Sequence, residues 1–158
     1  MFEVSAVSLY QMRLVAHGSP EYEALVALRH DVLRRPLGLA FTPEQLAAES
    51  ASYHLGCYSG ETLAGCLVLA PQSEGRMQMR QVAVRDGWQG KGIGRLMAEQ
   101  AENLARQMRF GVMILHARES AVGFYETLGY QKRGARFWEV TLPHWEMTKT
   151  LLGDDQDA

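Results

Sequence analysis

Apolar and polar residues alternate along residues 8–16, SLYQMRLVA, which is the two-residue period of a strand with one covered face. The period changes at Ser19-Pro20-Glu21, where a serine suited to an N-cap precedes a proline at the first helical position. Tyr22, Leu25, Val26, Leu28, Arg29, Val32 and Leu33 then predict a helix that stops ahead of Pro36. Thr42-Pro43-Glu44 repeats the start signal and predicts a short second helix to Glu49. Strand-like segments follow at 52–59 and 62–70, joined across Gly60-Glu61 as a hairpin, and at 76–84. From Gly92 the period lengthens again. Ile93, Leu96, Met97, Ala101, Leu104, Ala105 and Met108 share one helical face, while Arg95, Glu99, Glu102 and Arg106 point away, with Glu102 and Arg106 paired at i,i+4. The unbroken apolar run at 111–117 predicts a buried strand, and Ser120 to Leu128 a short helix closed by Gly129. RFWEVTLPHWEMTKTLL supplies two more strand segments broken near Pro143.

A length of 158 residues predicts one domain, spanning 1–152, with the acidic residues 153–158 as a frayed tail. A net charge of −2 argues against non-specific nucleic-acid binding. No apolar run is long enough to span a membrane, and the N-terminus lacks a basic start followed by an apolar core, so the expected location is cytoplasmic. Cys57 and Cys66 have neither metal-ligand spacing nor a disulfide pattern, so no metal is expected and both read as reduced core residues.

The chemistry concentrates in DGWQGKGIGRLM, residues 86–97, which opens the long helix with glycines at 87, 90, 92 and 94. Glycine-rich turns that open a helix hold phosphate through backbone N–H groups and the positive end of the helix dipole. A Walker P-loop requires Lys and Ser/Thr where Ile93 and Gly94 stand. A dinucleotide fingerprint requires glycine at Arg95 and an early position in the chain, whereas some 80 residues precede this one. The remaining readings are a turn without a ligand and a different phosphate cradle.

Gln89-Gly90-Lys91-Gly92-Ile93-Gly94 matches a Q/R-x-x-G-x-G/A signature, directly after the strand Arg80-Gln81-Val82-Ala83-Val84. A second segment, Ala121-Val122-Gly123-Phe124-Tyr125-Glu126-Thr127-Leu128-Gly129-Tyr130, resembles A-x-x-F-Y-E-x-L-G-F/Y. On these two motifs, in this order, the chain resembles the GNAT superfamily of acetyl-CoA-dependent N-acetyltransferases. Phe137, Glu139, Val140, Pro143, His144, Met147 and Lys149 resemble a bacterial subgroup of it with largely unassigned substrates. The resemblance implies an α/β (α+β) fold with a mixed, mostly antiparallel sheet of about six to seven strands, opened by a wedge and flanked by about four helices. It implies that Gln89, Gly90, Lys91, Gly92, Ile93, Gly94 and Arg95 surround the pyrophosphate of acetyl-CoA. The backbone of Val82, Ala83 and Val84 would pair with the pantetheine arm as an added strand. Where the family often has Asn, this chain has Arg118, so a cofactor contact there is expected from a different side chain.

The implied activity is acetyl transfer to a primary amine by direct attack in a ternary complex, with coenzyme A as product. No cysteine lies in either motif, which disfavours an acetyl-enzyme. The resemblance places Tyr125 as general acid for the departing thiolate. Glu139, His144 and His116 are candidate bases. His144 follows Pro143 at a strand break that could aim it into the cleft, and Phe124 is expected in the core. The acceptor pocket is expected from residues 20–49 and the C-terminal hairpin, with Arg29 and Arg80 as acceptor contacts and Arg34 and Arg35 nearby. A small-molecule amine is the expected acceptor, and Phe137 to Trp145 a possible homodimer surface. Competing functions are an acyl-CoA sensor without turnover and an acyltransferase for longer acyl chains or protein amines.

Overall fold

The computed structural model describes residues 9–153. Its elements are β1 (Gln11–Val15), α1 (Pro20–Arg29), α2 (Pro43–Ala47), β2 (Tyr53–Ser59), β3 (Thr62–Pro71), β4 (Arg76–Val84), α3 (Ile93–Gln107), β5 (Val112–Arg118), α4 (Val122–Thr127), β6 (Gln131–Glu139) and β7 (Leu142–Thr150). The seven strands form a mixed sheet in the order β1-β2-β3-β4-β5-β7-β6, as the α/β expectation required. Two compact units emerge, one running to Ala70 and taking up Gln81–Gln100, the other made of Pro71–Arg80 and the chain from Ala101. No helix among the described residues is long and apolar enough to cross a membrane. The acidic tail beyond Gly153 lies outside the described residues.

In the first unit, Ser19 caps α1 by accepting from the Tyr22 amide at 3.1 Å, and Thr42 caps α2 in a capping box with Gln45. The chain does not break ahead of Pro36. After Arg29 it widens into a π-turn (His30–Arg34), then tightens into a 3-10 turn (Arg35–Leu37) ended by Gly38 at φ 71°. Pro36 is tolerated because an early helical position has no N–H to satisfy. Leu25, Leu28, Tyr58, Leu63, Cys66 and Ala83 form the core, and Cys57 and Cys66 are buried free thiols.

Beneath that core lies a charged cluster that no local signal in the sequence announces. Arg29, 1% exposed, donates to both carboxylate oxygens of Glu49 at 2.9 and 2.6 Å, and Tyr22 Oη donates to the same carboxylate at 2.7 Å. His54 lies against it, with Nε2 3.0 Å from the Glu49 carbonyl oxygen. Burial alone would raise the Glu49 carboxyl, but hydrogen bonds and charge from Arg29, with the Tyr22 hydroxyl, hold it below its ordinary range.

In the second unit β4 runs parallel to β5, pairing Arg76–Met79 with Val112–Leu115, and β7 lies antiparallel between β5 and β6. Met77 faces Met113, Met79 faces Leu115 and Leu115 faces Met147, all at most 2% exposed. Glu102 does not point to solvent. It is 3% exposed and accepts from Lys149 Nζ at 2.9 Å and Tyr130 Oη at 2.8 Å, with Arg106 at 3.9 Å. A carboxylate can occupy an interior position when two donors meet it there. The break between the last strands falls at Val140-Thr141, not at Pro143, which pairs with Trp138 inside β7. Both turn residues have positive φ, 44° and 66°, as a two-residue hairpin turn demands and a β-branched side chain resists.

Candidate active site

In the first unit the loop after β4 is clamped from below. The Arg85 amide donates to the Ala64 carbonyl at 2.8 Å, and Arg85 Nε to the Leu63 carbonyl at 2.7 Å. Gly65 lets this floor close: a Cβ there would lie 2.8 Å from Met97 Sδ and 3.0 Å from the Ala83 carbonyl oxygen. Above it, Gly87, Gly90 and Gly92 have φ of 87°, 80° and 83°, a region that costs other residues about 1–2 kcal/mol. A Cβ at Gly90 or Gly92 would meet nothing within 4 Å, so these glycines serve backbone shape and leave the space beside them open. The hydrogen bond from the Leu96 amide to the Gly92 carbonyl opens α3, which leaves the amides ahead of Leu96 without helical acceptors. Open space beside the loop and donor amides at a helix start suit a diphosphate.

The loop side chains divide. Gln89 Nε2 donates to the Val84 carbonyl at 3.1 Å, tying the loop to the strand end, and Arg95 faces Glu99 at 3.5 Å on an exposed helix face. Lys91 is exposed, and Ile93 is core at 1%. Inside β4, Gln81 adopts φ 54°, directly before Val82-Ala83-Val84. Such a kink interrupts regular strand geometry where a passing ligand chain would take up backbone pairing. No glycine or proline marks that position in the sequence.

In the second unit, strand alternation puts His116 and Arg118 of β5, His144 and Glu146 of β7, and Phe137 and Glu139 of β6 on one face of the sheet. His116 Nδ1 donates to Glu139 Oε1 at 3.0 Å, leaving Nε2 3.8 Å from Glu146 Oε1. The Glu139 hydrogen bond raises the imidazole above its ordinary pKa against the opposing effect of burial, with the charges of Glu139 and Glu146 adding and Arg80 subtracting. The same hydrogen bond lowers the Glu139 carboxyl. His144 is not at a strand break. It is 3% exposed within β7, its Nδ1 donates to the Leu142 carbonyl at 2.9 Å, and Phe137 packs against both histidine rings. Of the three candidate bases the structure joins two, and the pairing of β6 with β7 and of β7 with β5 does it.

Tyr125, on α4, is 8% exposed, its ring edge-on to Phe124 at 5.0 Å and Tyr130 at 5.7 Å. Burial pushes its hydroxyl up to about 12. Phe124 is 39% exposed, not core, because α4 is short and turns that side outward. Arg118 lines a cleft of about 350 Å³ with Glu119, Ser120, Leu142 and Pro143. Arg29 is excluded as an acceptor contact, since its guanidinium is buried on Glu49. Arg80 is exposed on β4, Arg34 lies 4.5 Å over the Phe41 ring, and Arg35 faces Asp31.

Comparison with known proteins bears on the family and the fold. A family model for the acetyltransferase (GNAT) family matches residues 16–130. A provisionally assigned acetyltransferase of Bacillus subtilis (strain 168) is 26% identical over 72 residues, covering 46% of this chain and 49% of that one. The chain thus spans about half the length of the curated relatives it matches. A crystal structure of a provisionally assigned N-acetyltransferase from Lactobacillus plantarum superposes with TM-score 0.77 at 28% identity, over 89% of this chain and 99% of that one. A Bacillus subtilis acetyltransferase solved in complex with CoA superposes with TM-score 0.72 at 15% identity, over 90% and 99%, and at that identity speaks for the fold alone.

Proposed function

Because the chain belongs to the acetyltransferase (GNAT) family, we propose that it transfers the acetyl group of acetyl-CoA to the primary amine of a small molecule. The observation that carries this reading is the loop at 87–94, with left-handed glycines, open space beside them and unbonded amides at the start of α3. The amides of Gly90, Lys91, Gly92 and Ile93 take the pyrophosphate oxygens, and the backbone of Val82–Val84 pairs with the pantetheine arm. The bound thioester supplies the acetyl carbon that the amine nitrogen attacks, so that a C–N bond forms and the C–S bond breaks.

We assign the proton traffic to His116, Glu139 and Tyr125. His116 Nε2 takes a proton from the attacking amine, and Glu139 holds the ring in the tautomer that exposes this nitrogen. Tyr125 Oη gives a proton to the departing sulfur. A free thiol near 8.5 would be a poor match for a hydroxyl near 12. Burial disfavours a thiolate as it disfavours a phenolate, so a departing thiolate desolvated in the site is a stronger base than it is in water.

Gly92→Trp tests the cradle. A side chain there must adopt the left-handed region and fill the space beside the loop. Acetyl-CoA affinity measured by calorimetry is expected to fall by about 100-fold or more, equivalent to about 2.7 kcal/mol. Unchanged affinity, or no binding by the folded wild type, overturns the acetyl-CoA reading. Binding without turnover of any amine points to a sensor instead.

The pH profile tests the base. His116 works neutral, and its raised pKa puts the ascending limb of kcat/KM above the ordinary histidine value of 6.5. Glu139→Gln removes the main cause of that shift, so the limb is expected to move to lower pH with the same amine. A limb that stays in place assigns the proton to another group.

A further inference from the structure

His116 stands between two carboxylates, and the second of them bears on which amines the site accepts, a role that rests on the acetyltransferase reading. Glu146 on β7 is the register partner of His116 on β5, so the two side chains rise together from one sheet face, inside the second unit. Glu139 takes Nδ1 at 3.0 Å from the β6 side, and Glu146 Oε1 lies 3.8 Å from Nε2. The first distance is a hydrogen bond, and the second is too long for one. Glu146 is half exposed, so a solute reaches this gap directly.

Protonation decides what suits the gap. Glu139 accepts the Nδ1 proton, so in the neutral ring that a base requires, Nε2 turns a lone pair toward the Glu146 oxygen. Two acceptors then face each other, and a shared donor stabilises such a pair. A nitrogen with tetrahedral N–H bonds holds two acceptors roughly 4–5 Å apart, so an ammonium bridges this pair after a small movement of one exposed side chain. The neighbouring charges leave that role to Glu146. Arg133, its register partner on β6, donates Nε to Thr148 Oγ1 at 2.9 Å, and Arg80 on β4 acts on the imidazole itself, disfavouring its charged form.

We infer that the acceptor docks as its ammonium, held by Glu146 Oε1 beside His116 Nε2, and that Glu146 thereby selects basic aliphatic amines over aryl amines, which are neutral at the same pH. The ammonium passes one proton to Nε2, and the freed lone pair forms the C–N bond as the C–S bond breaks. The sulfur takes the Tyr125 proton, and the second nitrogen proton leaves to solvent. Solvent then removes the proton from His116 and returns one to Tyr125. Glu146 stays a carboxylate throughout and acts by holding the acceptor.

Two isomeric acceptors test it, with acetyl-CoA as donor: near neutral pH benzylamine is an ammonium and 4-methylaniline a neutral amine. Glu146→Gln is expected to lower kcat/KM for benzylamine by about 10-fold, through KM, the low end for a hydrogen bond to a charged group because this carboxylate is half exposed. The same variant is expected to keep 4-methylaniline within about threefold of wild type, and the intrinsic reactivity of each amine cancels in that comparison. Glu146→Asp keeps the charge on a shorter stem and is expected to recover part of the benzylamine loss. Added salt is expected to raise the benzylamine KM of the wild type and not that of Glu146→Gln. Thermal unfolding of each variant confirms that it is folded. Equal losses on both isomers, no loss on either, or a wild-type KM indifferent to salt overturns the inference. Acetyl-CoA binding by calorimetry without turnover of benzylamine also overturns it. Failure of the folded wild type to bind acetyl-CoA at all fails the acetyltransferase reading, and the two failures are thus told apart.

Discussion

Replacing Tyr125 by Phe is expected to lower kcat for acetyl transfer by about 10²- to 10⁴-fold, the range of a lost general acid. The substitution removes one oxygen and keeps the ring. The edge-on contacts with Phe124 and Tyr130 are therefore retained, and α4 has no reason to move. The fold should register the change by no more than about 1 kcal/mol, the usual net worth of a single polar group. The loss should lie in kcat and leave the KM for acetyl-CoA nearly untouched, because in the proposed role the hydroxyl acts on the sulfur only as it departs. Burial that lifts the hydroxyl to about 12 also keeps it protonated at every working pH, so Tyr125 contributes no descending limb near neutrality. A kcat within a few-fold of wild type assigns the proton to solvent or to another side chain.

Glu49→Ala is expected to destabilise the protein by about 3–5 kcal/mol, read as a lower midpoint in urea. Glu49 is the partner that makes the buried Arg29 tolerable: without it a guanidinium 1% exposed loses both carboxylate contacts, and Tyr22 loses its acceptor. Single domains retain only about 5–15 kcal/mol in total, so this one side chain decides whether the first unit stays folded. Arg29→Met combined with Glu49→Leu is expected to recover most of the loss, since it removes both charges together. The contribution also has a pH direction. Glu49 sits below its ordinary carboxyl value when folded, so the pair's stabilisation is present above the ordinary value of about 4.5 and is lost as pH falls through the folded value. A destabilisation below about 1 kcal/mol for Glu49→Ala, the size of an exposed ion pair, means that Arg29 finds water there.

Most elements were legible in the sequence because their signals are local. Ser19-Pro20 and Thr42-Pro43 mark helix starts with the atoms that cap them, and Gly60-Glu61 marks a hairpin through its own backbone. The left-handed turns of the loop after β4 were legible for the same reason, since its shape is written in its glycines. Partnerships across the fold were not. Glu102 reads as one more charged residue on an amphipathic helix until β7 brings Lys149 to it. Arg29 reads as an available cation until Glu49, twenty positions on, returns beneath α1. His116 and Glu139 are separated by 23 positions and meet only because β7 lies between their strands. The kink at Gln81 carries no residue-type signal at all.

The hairpin that ends in Val140 and Thr141 has a bearing on how sequences of this kind drift. Two β-branched residues occupy positions where Asn-Gly would sit without resistance, one of them directly after the carboxylate that orients His116. Selection for persistence alone would have replaced them, because such replacements are easily found by chance and cost the hairpin nothing. A laboratory lineage evolved only for heat tolerance should therefore change residues 140 and 141 early, while one evolved for turnover should keep them. The divergence of the two lineages at this turn would reveal whether selection has acted there on folding or on catalysis.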